Sequence, residues 1–263
     1  MNRALYIAKT GLEAQDFRLA TISNNIANAN TFAYKKGRAE FVDLLYQNVR
    51  QPGAKANANE DSTLPSGLQV GTGTKAVGVQ KIHGQGNISI TDNPLDVAID
   101  GRGFFRAVDQ NGTELYFRDG SFQINQNGNL VTSSGFLVEP AITIPNDTTE
   151  IFISQDGEVS VKQPGTAAPS IVGQLELTTF PNPSGLNSIG NNFYKESLAS
   201  GVPANKNPET DEAGSLLQGA LEASNVNTVE ELVAMIEAQR TYEMNSKAIS
   251  AADGMMQYLN NNI

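Results

Sequence analysis

The stretch Leu5-Tyr6-Ile7-Ala8-Lys9-Thr10-Gly11-Leu12-Glu13-Ala14-Gln15-Asp16-Phe17-Arg18-Leu19-Ala20-Thr21-Ile22-Ser23-Asn24-Asn25-Ile26 decides how the chain is read. Apolar residues recur every seven positions. Leu5, Leu12, Leu19 and Ile26 make one row; Ala8, Gln15 and Ile22 make a second row, offset by three. Two rows with that offset form the narrow a/d stripe of a coiled-coil helix. Gln15 is its one polar break. The far end of the chain repeats the arrangement. Met235, Tyr242, Ile249 and Met256 form one row there, and Ala238, Asn245, Ala252 and Leu259 the other, broken by Asn245. Asn227 or Thr228 caps this second helix, and Glu230 and Glu231 lie in its first turn, where the helix dipole favours acids. Val229, Leu232, Val233 and Ile236 widen its apolar face near the start.

Between the two stripes the periodicity changes. Residues 75–223 carry short runs of strand type, such as Val97-Ala98-Ile99, Phe104 to Val108, Leu115-Tyr116-Phe117, Ile151-Phe152-Ile153, Val159-Ser160-Val161 and Gln174 to Leu177. Three turns interrupt them with nearly the same residues: Asp109-Gln110-Asn111-Gly112, Asn125-Gln126-Asn127-Gly128 and Ser154-Gln155-Asp156-Gly157. Asn-Gly and Asp-Gly tolerate the positive φ that hairpins need. The expected fold class is therefore α+β. Residues 1–30 and 224–263 supply terminal α-helices pairing as a coiled-coil domain, 31–74 an extended connector, and 75–223 a mainly antiparallel β domain. Within the connector, Gln51-Pro52-Gly53 opens a polar tract running to Ser62. It has too few large apolar groups to offset its own ordering entropy and is expected to be held by a neighbour.

Composition excludes several functions. The 263 residues contain no cysteine, so there is no disulfide framework, thiolate metal site or cysteine nucleophile. The net charge of −10 argues against nucleic acid and against anionic lipid as partners. The charge is uneven: residues 1–45 hold six bases and four acids, and residues 224–263 two bases and five acids. Ends of opposite sign favour association. No run approaches the roughly 20 apolar residues of a membrane span, and the first residues lack the apolar core of a cleaved signal peptide.

Candidate chemistry is thin. His83 is the single histidine and has no nucleophile pattern near it, so a turn or surface role is expected. The Asx-rich turns lack the alternating acids and closing Glu of a calcium loop. Gly71-Thr72-Gly73 and Gly101-Arg102-Gly103 lack the third glycine of a dinucleotide fingerprint. Asp92, Asp96 and Asp100 read as loop-capping residues rather than a carboxylate pair for glycan hydrolysis. No catalytic residue, cofactor or metal is expected.

Ser23-Asn24-Asn25-Ile26-Ala27-Asn28-Ala29-Asn30-Thr31 is unusual, because asparagine is poor inside helices and good at caps and turns. With Thr31-Phe32-Ala33-Tyr34-Lys35 it resembles the N-terminal signature of bacterial flagellar rod and hook proteins. Members commonly carry Gly-Phe where this chain has Ala33-Tyr34, which implies a turn built differently. Ser224 to Val233 and Gln239 to Ala248 resemble the C-terminal signature of that family. Tyr46 to Gly53 and Leu64 to Gly73 are similar to segments of its distal-rod members, and Asp96 to Phe105 to one shared more widely.

The resemblance implies a non-enzymatic subunit that polymerises into a straight hollow shaft transmitting torque from motor to hook. It also implies export without a cleaved signal peptide through the flagellar export apparatus. The implied partners are copies of itself, proximal rod and hook proteins at the two ends, and the P-ring and L-ring proteins. Leu5, Leu12, Leu19, Ile22, Ile26, Asn24, Asn25, Asn28, Gln51, Pro52, Gly53, Met235, Tyr242, Asn245, Ile249 and Met256 are the expected assembly residues. Because the stripes are thin, the ends are expected to be frayed in the free monomer and ordered by neighbours. The alternatives are a proximal rod or hook subunit, a secreted β-rich enzyme acting on cell wall, and a surface adhesin.

Overall fold

The computed structural model describes residues 3–53, 66–165, 168–210 and 212–261, with side chains as far as residue 258. It contains two long helices, α1 (Arg3–Ala27) and α2 (Thr228–Asn261), and between them a succession of short strands whose pairings are all antiparallel among the described residues. The expected α+β class is thus the observed one. The chain divides into two compact units. The first comprises 1–27, 37–80 and 227–263, and the second comprises 28–36 and 81–226.

In the first unit α1 and α2 pack along one another. Three contacts set their direction: Asn25 meets Glu231 at 3.2 Å, Arg18 meets Glu237 at 3.7 Å, and the face of Gly11 lies against the Asn245 amide. As residue numbers fall along α1 they rise along α2, so the helices run antiparallel. The buried side chains of the two helices are mostly small or polar: Ala8, Thr10, Ala14 and Asn25 on α1, with Ile22 the one large apolar group, and Ala238 and Ala252 on α2. Small residues let the helix axes approach but remove little apolar surface from water. Asn227 caps α2, its side-chain oxygen accepting from the Val229 amide at 3.1 Å. Two ribbons complete the unit, Gly37–Asp43 paired with Thr74–Lys81 and Gln47–Arg50 paired with Leu68–Val70. These strands occupy much of the stretch read from sequence as an extended connector.

The second unit holds the apolar core. Its largest sheet has seven strands in the order Asn187–Gly190, Phe193–Lys195, Glu114–Phe117, Phe105–Val108, Leu137–Glu139, Leu130–Thr132 and Phe122–Ile124. A three-stranded sheet, Glu150–Ile153, Glu158–Lys162 and Ser170–Gln174, adds Val159 and Val161 to one cluster with Val97, Ile99, Phe105, Phe117 and Phe122. The three repeated turns are hairpin turns. Each closes with its glycine N–H donating to the carbonyl of the first turn residue, at 2.9, 3.0 and 3.1 Å, and Gly112, Gly128 and Gly157 have φ of 76°, 80° and 90°. That is the type I turn ended by a left-handed residue, which glycine adopts without steric cost. One expected strand differs. The run Gln174 to Leu177 is broken, with Gln174 ending one strand and Leu177 starting another. Buried Leu175 leaves the ladder to enter the core.

Candidate assembly site: amide clasps and a buried ion cluster

The asparagines of the N-terminal signature have a definite task. The Asn25 side chain bonds the backbone of Gly37 twice, its Nδ2 donating to the Gly37 carbonyl and its Oδ1 accepting from the Gly37 amide, both at 2.9 Å. The same Nδ2 donates to Glu231 Oε2 at 3.2 Å. One buried amide therefore stands in for a strand partner, closes the excursion from residue 26 to 36 and ties the end of α1 to the first turn of α2. Its donors and acceptor are matched, which lets a polar side chain sit at 2 % exposure without a desolvation penalty.

A second amide does the equivalent work in the β-rich unit. Asn225 Oδ1 accepts from the Lys36 amide at 2.7 Å, and its Nδ2 donates to the Ile82 carbonyl at 2.8 Å. Asn28 makes a tight turn with Thr31, whose amide and hydroxyl both return to it at 3.2 Å. Two residues on, Ala33 has φ of 55° and donates its amide to the Glu222 carbonyl at 2.7 Å. Ala33 thus holds the left-handed conformation that glycine adopts at lower cost.

Beside this turn lies a feature the sequence reading missed. Lys35, Glu222 and Arg118 are buried together in the β-rich unit. Lys35 Nζ donates to Glu222 Oε1 at 2.5 Å and to the Gly84 carbonyl at 2.9 Å. Arg118 Nε donates to Glu222 Oε2 at 2.7 Å, and its Nη atoms donate to the carbonyls of Gly103 and Gly101 at 3.0 and 2.9 Å. The Gly86 amide adds a donor to Glu222 Oε1 at 2.8 Å. Two cations share one carboxylate. Burial and the Arg118 charge push the Lys35 ammonium down to about 8, against the opposing pull of Glu222. Burial by itself would raise Glu222, but Arg118 and Lys35 outweigh it and hold the carboxyl below its ordinary range.

His83 packs against this cluster, its ring edge-on to Phe104 and Tyr194 at 5.6 and 5.4 Å. It occupies no surface turn, contrary to expectation. Both ring nitrogens are buried, with no hydrogen-bond partner among the described residues. Burial, then the charges of Lys35, Arg118 and Lys81, push its pKa down to about 4, so the ring is neutral at physiological pH. Asp96 accepts from Thr91 at 2.6 Å and Asn93 at 2.9 Å, and Asp100 from Gln85 at 3.0 Å, so these acids anchor loops.

The expected assembly residues fall into three groups. Asn25 and Ile22 are buried within the first unit. Leu5, Leu12, Leu19, Ile26, Asn28, Met235, Asn245 and Ile249 are half-buried. Asn24, Tyr242 and Met256 are exposed, as are Gln51, Pro52 and Gly53 on the ribbon's free end. Residues 54–62 of the polar tract lie outside the described residues. The missed Lys35–Glu222–Arg118 cluster left only a faint trace in the sequence: isolated charges inside apolar runs, as in Tyr116-Phe117-Arg118 and Ala220-Leu221-Glu222. Its members are 187 and 104 residues apart, beyond any local pattern.

Amide clasps, a helix seam of mostly small residues and an ion cluster in which two cations share one carboxylate tie distant parts of the chain together, as in a structural protein. Family profiles agree with that class. Residues 5–35 match the flagella basal body rod protein family, residues 98–161 the flagellar hook protein FlgE/F/G D1 domain, and residues 217–262 the flagellar basal body rod FlgEFG protein C-terminal family. The first and last of these ranges contain both partners of the Asn25–Glu231 and Lys35–Glu222 contacts. The chain is 51 % identical to the flagellar basal-body rod protein FlgG of Buchnera aphidicola subsp. Acyrthosiphon pisum, over 97 % of this chain and 98 % of that one. It is 46 % identical to FlgG of Caulobacter vibrioides over 97 % of each chain, and 38 % identical to FlgG of Bacillus subtilis over 99 % of each. The chain belongs to the family of flagellar basal-body rod and hook proteins, and is a structural subunit of the flagellar rod, not an enzyme.

Proposed function

We propose that the chain is a subunit of the distal rod that polymerises helically into a straight, hollow shaft carrying torque from motor to hook. The observation that carries this reading is the uncovered apolar surface of α2. Val229, Leu232, Val233, Ile236, Met244, Met255 and Tyr258 are exposed on a helix whose opposite side already packs on α1. A helix apolar on two sides belongs inside a larger packing arrangement. In the shaft, the two helices pair as a coiled-coil layer around the central channel, and the β-rich unit forms the outer layer. Proximal rod and hook subunits continue the shaft at its ends, and the P and L rings surround it. No helix among the described residues is long and apolar enough to cross a membrane, and the chain leaves the cell through the flagellar export apparatus.

Residues 47–63 stiffen the shaft by contact with adjacent subunits. The thin seam leaves the two helices marginal in a dilute monomer, where their amides exchange within seconds and become protected on assembly. Electron microscopy of basal bodies containing the chain tests the main reading. A straight hollow tube with the chain along its distal part is expected; a curved tube, or the chain confined elsewhere, overturns it.

A further inference from the structure

Val229, Leu232, Val233 and Ile236 stand at i, i+3, i+4 and i+7 of α2, and each is about half exposed or more, at 67, 50, 52 and 49 %. That spacing is the anchor pattern by which one amphipathic helix enters an apolar groove. The first unit also carries such a groove. Tyr6 and Ile7 of α1 face Val42, Leu44, Leu45 and Tyr46 at the corner between strands Gly37–Asp43 and Gln47–Arg50, around a cleft of about 850 Å³. Leu45 is 91 % exposed there, and Tyr46 and Tyr6 are half uncovered.

Charge favours the match. Arg3 and Lys75 line the groove with one acid, Asp43, while Glu230 and Glu237 border the stripe, Glu237 lying also 3.7 Å from Arg18 of its own chain, and Arg240 follows it. Opposite potentials across such a contact steer encounter and fix register.

One chain cannot satisfy both surfaces itself. The Asn25–Glu231 contact puts the stripe at the level of the last turn of α1, whereas Tyr6 and Ile7 put the groove at its first turn. Some 17 residues of helix separate the two levels, roughly 25 Å at about 1.5 Å per residue. The stripe and the groove are different surfaces, so their contact is head-to-tail, and a head-to-tail contact that does not close into a ring produces an open helical polymer.

We infer that the Val229–Ile236 stripe of each subunit seats in the Tyr6–Leu45 groove of the next copy along the rod. This rests on the polymeric reading above and adds its axial contact.

The chain has no cysteine, so cross-linking is clean. The Leu45→Cys/Val233→Cys chain, replacing the native copy in its own host, is oxidised in isolated basal bodies. A ladder of dimers, trimers and higher multimers of this chain is expected. Each single-cysteine chain and the pair Ile171→Cys/Val233→Cys should give no ladder beyond dimers. Leu45→Asp, at a site too exposed to affect folding, should lower the number of assembled rods at least tenfold. A straight rod containing the chain, with no ladder from the first pair or with normal rod numbers for Leu45→Asp, overturns the inference and leaves the distal-rod reading standing. Cross-linking to a protein of another mass also overturns it. Absence of the wild-type chain from basal bodies overturns both.

Discussion

The two units of this chain solve the problem of staying folded in opposite ways. The β-rich unit buries aromatic rings against one another: Phe105, Phe117 and Phe122 have ring centroids 5.0–6.2 Å apart, and a second group gathers Phe104, Tyr116, Phe180 and Tyr194. The helical unit buries alanines, a threonine, an amide and a single isoleucine, Ile22, and leaves most of its larger apolar groups half-buried or exposed. Full burial of a large side chain contributes about 1.5–3 kcal/mol, and an alanine methyl far less. The β-rich unit can therefore fold on its own account, while the helical unit keeps its apolar surface for another molecule. In both, an asparagine side chain bonds the backbone where the chain leaves or re-enters a helix or strand.

The contrast can be broken at its strongest point. Glu222→Gln removes the one carboxylate between Lys35 and Arg118 and leaves two buried cations unmatched. Unpaired buried charge costs about 3–5 kcal/mol, and denaturant titration should show that loss in the transition of the β-rich unit. A cost below about 1 kcal/mol would mean that the cluster is hydrated rather than closed.

Asn25→Ala should cost less, about 2–4 kcal/mol, because it orphans the amide and carbonyl of Gly37 and frees Glu231. Its effect should be confined to the helical unit, read as faster hydrogen exchange at Gly37 and along both helices with the β-rich amides unchanged. Equal acceleration in both units would erase the distinction between them.

Acid should act chiefly on the β-rich unit. The folded state holds His83 near 4, against 6.5 for an unhindered imidazole. Between those values the unfolded chain binds a proton that the folded chain does not. Stability is thus complete above pH 6.5 and falls as pH drops towards 4, by on the order of 3 kcal/mol. Lys35, Arg118 and Lys81 oppose protonation and Glu222 favours it, and Glu222 adds its own loss at lower pH. His83→Phe should flatten the slope between pH 6.5 and 4 in thermal melts, and an unchanged slope would assign it to another group.

The smallest effect is expected at Ala33→Gly. Relief of the left-handed alanine, about 1–2 kcal/mol, is largely offset by the greater freedom of unfolded glycine and the loss of a buried methyl. The melting midpoint should move by the equivalent of 1 kcal/mol or less, and a larger gain would show that the turn is strained beyond its own φ.

Much of the fold was legible where the information is local. The three Asx-Gly turns specify hairpins because positive φ is a property of one residue. The terminal helices were legible from periodicity, and the C-terminal one from its cap at Asn227. The asparagine signature marked the right place, but not its partner, since an amide can bond any backbone within reach. The seam was read as two heptad rows on each helix, and the rows are not equal. Folding buries the row of small ones, Ala238 and Ala252, and leaves Tyr242 and Met256 exposed at about 40 %. Periodicity identifies an apolar stripe without saying which molecule covers it.

By itself, then, the sequence determined the class, the helical ends, the hairpins and the family, because these rest on conformations and motifs written within a few tens of residues. Only the tertiary structure decided that Lys35, Arg118 and Glu222 share one buried site. It alone showed that Asn25 stands in for a strand, and that α2 carries an apolar face on the side α1 leaves open. Each of those depends on which distant residues the folded chain brings within a few ångströms, and no local pattern records that.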